Sequence, residues 1–330
     1  MFFKSFSTFH LVNYTHDLPA LEEAMRGRLF QECAPEQAFS AGWVPAFGED
    51  TQMMTRNASG ATLFAIKIEE RKVKASALKV EVATACAEAI ARQIKAGVDS
   101  PTLAKHEKQE IKEIVHARML KDLPKSMSNY TIQYAYMDPK AELLIMSGTS
   151  TTKMDIVSHL LRDAVPCSMI RAQTTLDMAE VMSGWLKGDM VVNEKEELTV
   201  GMSCSLRSEL EKTSTIKYKK QELNDDNLRN YLKGKHVVSD VELCWENNMN
   251  FTLTEEFCVK GIRLQSVLKG EIKAQIEGYE GEDVEIALFD AEFAIMVDTL
   301  NKIVPVLAHA FDGFEPIDAQ LAQEPEPLEG

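Results

Sequence analysis

The sequence lacks the residue patterns that carry most enzyme chemistry. It has no H-E-x-x-H metal motif, no glycine-rich phosphate loop and no G-x-S-x-G nucleophile turn. Its seven histidines are scattered, and its six cysteines form no C-x-x-C pair. We therefore expect buried, reduced thiols and neither a metal nor another cofactor, and we predict that the protein is not an enzyme.

Long apolar runs are also missing from the chain. No segment approaches the roughly 20 apolar residues that span a bilayer, and the N-terminus has neither the apolar core nor the cleavage site of a signal peptide. Apolar residues make up 45% of the chain and charged residues 26%, as in ordinary globular proteins. We expect a cytoplasmic protein with no membrane partner.

Positive charge is scarce at the C-terminal end. Residues 271–330 hold 15 Asp and Glu against two Lys, a net charge of −13, whereas the whole chain carries −15. Residues 61–140 form a basic sector, with 14 Lys and Arg against 10 Asp and Glu. Because the local field decides where a polyanion docks, the acidic total does not exclude a nucleic-acid partner.

One predicted helix, over about 102–121, separates its charges by face. In helical projection Lys105, Lys108 and Lys112 share one sector, and a glutamate sector lies apart from it. None of the three lysines has a glutamate three or four residues away, so the usual helical ion pairs are absent. This pattern favours an anionic partner over ordinary surface lysines. Leu103, Ile111, Ile114 and Val115 are expected to face the core.

The elements come in clusters of strands and clusters of helices, which favours an α+β fold with mixed or antiparallel sheets over a doubly wound one. We predict a strand over 61–68, a helix from an N-cap at Ser76 to about Lys95, and strands over 237–245, 249–254 and 260–265. A short helix is expected from Asn224-Asp225-Asp226 to near Gly234.

Near the C-terminus the alternation of Phe289, Ala291, Phe293, Ile295 and Val297 predicts a strand over 286–297. Asp298 is then expected to cap a final helix, and an acidic tail over 311–330 is expected to be disordered.

Several matched segments, in order, give the chain a family resemblance. They are "GWVP" at 42–45, "EERKVKASALK" at 69–79, "KHEKQEIKEIVHARMLKDLPKSMS" at 105–128, "KYKKQEL" at 217–223 and "FDAEFAIMV" at 289–297. Together they resemble the RdgC family of bacterial recombination-associated proteins, over residues 1–310.

The resemblance implies a curved α+β subunit that pairs into a ring-shaped homodimer. Double-stranded DNA would pass through the basic central hole without sequence preference, single strands would also bind, and RecA-dependent recombination would be restrained. A nucleoid-associated, cytoplasmic protein is implied. The same resemblance places a finger-like extension at about 200–235 and an acidic C-terminal part at 271–310.

Site residues follow from the resemblance, position by position. Lys125, Met127 and Tyr130 would lie at a dimer interface, where the family can show a Phe in place of Met127. The residues expected to contact DNA are Lys72, Lys74, Lys79, Arg92, Lys95, Lys105, Lys108, Lys112, Lys217, Lys219, Lys220 and Gln221.

Two other functions remain open on the residues alone. A carboxylate metal site for a nuclease could be built from an acidic group near the C-terminus, namely Glu280, Glu282, Asp283, Asp290 and Glu292. Alternatively, the acidic surface could serve a protein-binding adaptor with a basic partner.

Overall fold

The computed structural model describes residues 2–15, 17–192, 198–211, 214–246, 248–275 and 283–318. Its strands are β1 (Phe6–Val12), β2 (Phe39–Val44), β3 (Arg56–Ala58), β4 (Ala61–Glu70), β5 (Asn129–Asp138), β6 (Leu143–Ser147), β7 (Ser168–Arg171), β8 (Leu198–Ser208), β9 (Thr215–Tyr218), β10 (His236–Trp245), β11 (Met249–Thr254) and β12 (Cys258–Leu264).

The helices carry most of the remaining regular structure, and the protein is therefore α+β, as expected. They are α1 (Leu18–Gly27), α2 (Ala75–Lys95), α3 (Lys105–Lys121), α4 (Thr151–Ala164), α5 (Met178–Lys187), α6 (Asp226–Lys233), α7 (Ser266–Gln275) and α8 (Asp283–His309). Among the described residues, no helix combines the length and the apolar character that a bilayer span requires.

The chain forms two compact units. The larger, unit 1, comprises residues 1–26, 45–65 and 133–330, and the smaller, unit 2, comprises 27–44 and 66–132. In unit 1 the strands follow the order β5-β6-β1-β12-β11-β10-β8-β9, with antiparallel pairing throughout this series. β1 also pairs with β7, so this first strand of the chain lies inside the sheet.

The core of unit 1 is aromatic and aliphatic. Tyr136 of β5 and Phe293 of α8 have ring centroids 6.0 Å apart, and Trp185 of α5 lies 5.1 Å from Phe311. Each of these side chains is almost completely buried. Sheet and helices thus share one hydrophobic cluster. Burial of apolar side chains in such a cluster is the main favourable contribution to the free energy of folding.

The last helix corrects a prediction. Residues 286–297 belong to the 27-residue helix α8, and Asp298 lies inside that helix instead of capping a new one. Phe289, Phe293 and Val297 recur every four residues, and the series continues through Leu300, so these positions also follow helical spacing. The short run over 286–297 fits both the two-residue period of a strand and the 3.6-residue period of a helix. Only the continuation of the helical pattern beyond this run distinguishes the two.

The helix starts also differ from expectation. α2 begins at Ala75 with Lys74 as its N-cap, so Ser76 is a helical residue, and α3 begins at Lys105. By contrast, Asp225 does cap α6, since its carboxylate accepts a hydrogen bond from the N–H of Asn227. The predicted strands over 61–68, 237–245, 249–254 and 260–265 are confirmed within a few residues.

Unit 2 is organised by a buried arginine. The Arg71 side chain is inserted between two loops, and its Nη1 donates to the carbonyls of Ala34 (3.0 Å) and Pro35 (2.8 Å). Its Nη2 donates to the carbonyls of Leu120 and Leu123, both at 2.9 Å. The guanidinium fork thereby joins the loop before β2 to the end of α3 through charge-assisted hydrogen bonds to four backbone carbonyls.

Replacing Arg71 with Met should destabilise unit 2 by about 2–4 kcal/mol, because buried carbonyls lose charge-assisted hydrogen bonds. Urea unfolding followed by circular dichroism measures the effect. Arg118→Met is the matched control: Arg118 makes an exposed ion pair with Glu81 at 2.8 Å, and its loss should cost less than about 1 kcal/mol. Equal unfolding midpoints for the two variants would contradict the assigned role of Arg71.

Candidate nucleic-acid interface

The basic residues predicted to contact DNA fall in two groups, one on each unit. The first group lies on the packed helices α2 and α3 of unit 2 and on the segment that leads into α2. No side chain of α2 is fully buried, and the predicted contact residues of this pair are all exposed: Lys72, Lys74, Lys79, Arg92, Lys95, Lys105, Lys108 and Lys112. Lys72 is paired with a carboxylate, since its Nζ lies 2.5 Å from Glu70.

The α3 lysines form an unneutralised stripe. No ion pair joins Lys105, Lys108 or Lys112 to a carboxylate within the described part of the chain. The nearby Glu107 is occupied elsewhere, accepting a hydrogen bond from the N–H of Ala104 at 2.7 Å. The stripe therefore presents three positive charges to solvent.

Ile114 is an exception to the predicted α3 core face. Val115 is buried, but the Ile114 side chain is 62% exposed. In helical projection Ile114 falls between Glu107 and Glu110, on the acidic face. The prediction that Ile114 faces the core is therefore wrong.

The second basic group is a turn at the end of β9 in unit 1, formed by Lys219, Lys220 and Gln221 and called here the fingertip. β9 is the last strand of the sheet, and it buries Tyr218 while exposing Lys217. Lys220 adopts a left-handed backbone (φ 53°), and its N–H reaches the Oγ of Ser203 at 3.4 Å. The Gln221 N–H donates to the carbonyl of Met202 at 3.0 Å. All three fingertip side chains are exposed.

Tyr218, next to the fingertip, packs into the hydrophobic core of unit 1. Desolvation by burial raises the pKa of the Tyr218 phenol, and the negative charge of Asp225 raises it further. The phenol is therefore neutral at physiological pH and suits its buried position. Behind the turn, α6 is fixed to the core by Leu228 and Leu232.

The three predicted interface residues lie together in unit 2. Lys125 makes a 2.6 Å ion pair with Glu32, and this hydrogen bond raises the pKa of the lysine. Met127 stands on a short 3₁₀ turn with 54% of its side chain exposed. Tyr130, which is 44% exposed, receives the ammonium of Lys67 over its ring at 4.9 Å.

Lys67, which lies beside the predicted interface residue Tyr130, was missed by sequence reasoning. Its ammonium also lies 4.9 Å from the ring of Phe30, so two aromatic faces hold one cation. Lys67 is the one basic residue in the apolar strand "ATLFAIKI". A single lysine in an apolar strand was the sequence signal that could have identified it. Arg229, Lys233 and Lys235 are further exposed cations at α6.

Glu69 is a buried carboxylate that contacts Tyr130. This carboxylate is 2% exposed and accepts the N–H of Cys33 at 2.7 Å and the hydroxyl of Tyr130 at 3.3 Å. Burial by itself raises the pKa of Glu69, but the accepted hydrogen bonds, first that from the Cys33 backbone, outweigh burial and lower the pKa. Glu69 is thus ionised and hydrogen-bonded in the folded unit.

The carboxylates considered for a nuclease do not form a metal site in the described residues. Asp290 and Glu292 lie on α8, where positions two apart point about 200° from each other. Asp290 forms an ion pair with Arg56 at 3.2 Å. Over the described ranges, no group of three or more His, Cys, Asp or Glu could hold a metal. Glu280 and Glu282 lie outside the described residues.

The charge of the chain is divided between the units. Unit 2 has 14 Lys and Arg and 11 Asp and Glu, a net charge of +3, whereas unit 1 has 22 and 40, a net charge of −18. The geometry thus defines an α+β protein with a basic helix pair and, on its acidic unit, one local basic turn.

Comparison with known proteins identifies the family behind this class. The model of the family "Putative exonuclease, RdgC" matches residues 1–314. The chain is 28% identical to the recombination-associated protein RdgC of Psychromonas ingrahamii, covering 95% of this chain and 99% of the relative. It is 26% identical to the RdgC of Tolumonas auensis and 25% to that of Pseudomonas entomophila, covering 99% and 98% of these relatives and 95% and 96% of this chain. The chain belongs to the RdgC family.

The ionised state of Glu69 makes the stability of unit 2 depend on pH. Because the folded pKa is depressed, the contribution of Glu69 is present above the unfolded pKa of about 4.3 and is lost as the pH falls through the folded value. Glu69→Gln should therefore cost stability at about pH 6 and much less at about pH 3.

Urea unfolding of the Glu69→Gln variant and the unchanged protein at both pH values measures this difference. The exposed Glu88→Gln substitution is the control and should have little effect at either pH. An equal cost of Glu69→Gln at the two pH values would contradict an ionised Glu69.

Proposed function

We propose that this protein binds DNA without sequence preference, encircles the duplex as a homodimeric ring and restrains RecA-dependent recombination. The observation that carries the proposal is the partition of charge: an otherwise acidic chain concentrates exposed, unneutralised lysines on α2 and α3 and at the fingertip. The name shared by its relatives, recombination-associated protein, supports a role in recombination.

The side chains involved are suited to phosphate contacts. Lysine is a compact, flexible point charge, whereas sequence readout depends on fixed pairs of donors and acceptors at base edges. Each phosphate contact releases condensed counterions, so affinity depends steeply on salt and little on sequence. The α3 stripe and the fingertip, which are rich in lysine, fit this kind of binding.

A ring reconciles DNA binding with a net charge of −15. A closed ring stays on DNA by topology, so it needs fewer phosphate contacts than an open groove of equal residence time. Acidic surface outside the ring would repel DNA from the wrong face. The exposed Met127 beside the Lys125–Glu32 ion pair supplies an apolar contact at one joint of the proposed dimer.

An exonuclease is the second candidate, because the matching family model carries that description. A metal-dependent exonuclease requires carboxylates that converge on Mg²⁺, and the described residues contain no such cluster. Degradation of linear DNA by the purified protein with Mg²⁺ would favour this candidate. An adaptor for a basic protein would instead shift no DNA at any salt concentration.

Changing the fingertip tests the DNA-binding proposal. The triple variant Lys219→Ala, Lys220→Ala, Gln221→Ala should bind duplex DNA about ten-fold more weakly and show a shallower dependence of log affinity on log salt, because phosphate contacts are lost. Gel shifts over a salt series with two unrelated duplexes measure both quantities. The two duplexes should bind about equally.

The chain offers a control with the same chemical change. Lys269, Lys273 and Gln275 are exposed residues of α7, and replacing all three with Ala removes the same charge and the same side-chain types. This control should leave affinity nearly unchanged. Equal weakening by both triple variants would mean that only net charge matters, and the fingertip assignment would then fail.

Substitutions of Met127 test the proposed dimer. Met127→Glu should convert the dimer to monomer at micromolar concentration, since a charge in an apolar contact carries a desolvation cost. Met127→Phe should keep the dimer, because an aromatic side chain can make the same apolar contact. Light scattering after size exclusion measures the mass. An unchanged mass for Met127→Glu would remove Met127 from the interface.

A further inference from the structure

A cleft of about 510 Å³ opens in unit 1 directly behind the fingertip. It lies between the end of α5, the middle of β8 and the segment that leads into α6. Its apolar walls are Trp185, Val200, Met202 and Leu223. Its volume falls within the roughly 300–1,000 Å³ of small-ligand sites.

The cleft and the fingertip share one piece of backbone. Met202 lines the cleft, and its carbonyl accepts the N–H of Gln221 at 3.0 Å. The next residue, Ser203, is 3.4 Å from the N–H of Lys220. The backbone of the fingertip, which carries Lys219 and Lys220, therefore lies beside the rim of this apolar slot.

Polar groups of both kinds border the slot. Glu222 and Asn224 meet at 3.3 Å, so a carboxylate acceptor and an amide are held side by side. Arg229 adds donors, and it forms a long ion pair with Asp226, on the same helix, at 3.9 Å. The buried indole N–H of Trp185, a residue of the cleft wall that is 6% exposed, has no acceptor within the described residues.

This combination matches the chemistry of a nucleobase. A base has apolar faces, which fit side chains such as Leu223 and Met202, and an edge of donors and acceptors, which an amide, a carboxylate and a guanidinium can satisfy. Its flanking phosphates would meet the rim lysines. A base inside a duplex has its edge occupied by pairing and must first be unstacked at a cost of a few kcal/mol, so a single strand enters more readily.

We propose that this cleft takes one unpaired nucleobase of single-stranded DNA while the fingertip lysines hold the neighbouring phosphates. The inference rests on the DNA-binding function proposed above and adds a site that distinguishes single strands from duplexes. The fingertip then serves both forms of DNA, and the cleft serves the single strand alone.

A charge-neutral variant tests the cleft. Asn224→Ala combined with Arg229→Lys removes the amide and the guanidinium fork but preserves the formal charge, so bulk electrostatics stay constant. Both residues are exposed, and neither supplies the N-cap of α6. Affinity for single-stranded oligo(dT) should fall about five- to ten-fold, while affinity for a mixed-sequence duplex should change less than two-fold.

The control is Asn230→Ala combined with Lys233→Arg. It alters the same kinds of exposed group on the same helix outside the cleft. It should change neither affinity. A second measurement uses oligo(dT) carrying one 2-aminopurine, whose fluorescence should change on binding to the unaltered protein and change less with the cleft variant.

The outcomes separate the two proposals. A selective loss of single-strand binding supports the cleft. Unchanged single-strand affinity, or an equal loss for both forms of DNA, overturns the cleft and leaves the DNA-binding function standing. Failure of the unaltered protein to bind either form overturns both.

Discussion

The hydrogen bonding of Arg71 is the constraint on which the basic surface of unit 2 depends. Its guanidinium fixes the loop before β2 against the end of α3, where the buried Val115 and Leu120 side chains also hold the helix. Because no side chain of α2 is fully buried, hydrophobic burial alone contributes little there. A buried polar anchor lets the two helices expose nearly all their charge and still have a defined position.

The same unit shows how fixed and available charges are separated. Arg71, Lys67 and Lys125 are held by carbonyls, aromatic rings and Glu32 respectively. The lysines of the α3 stripe have no such partner in the described residues. Structural cations are thus neutralised or enclosed, whereas the stripe stays available to an anion. Its excess charge is small, +3 over the unit, so position matters more than the total.

Sequence reasoning found the elements whose signals are local. The start of α6 at Asn224-Asp225-Asp226 and the strands from β10 to β12 were predicted from local sequence patterns. β1 was missed because Ser7, Thr8 and His10 are buried within it, so it has neither alternation nor a clean apolar run. Glu69 and Arg71 look like a charged surface corner, and only tertiary hydrogen bonds explain their burial. The lysines predicted to contact DNA lie at the surface, whereas the cleft behind the fingertip joins residues from three elements, and no local signal reports it.

Screening explains how a basic turn can act on a unit of net charge −18. At physiological ionic strength the Debye length is about 8 Å, so a phosphate responds to charges in its immediate neighbourhood. At the fingertip those include the exposed Lys219 and Lys220. The turn that carries them is held by the left-handed Lys220, whose N–H reaches Ser203, and by the Gln221 N–H, which donates to Met202. Carboxylates farther away than this length lower the affinity only slightly. An acidic unit can therefore hold a DNA strand at one point and repel it elsewhere, as the proposed ring would require.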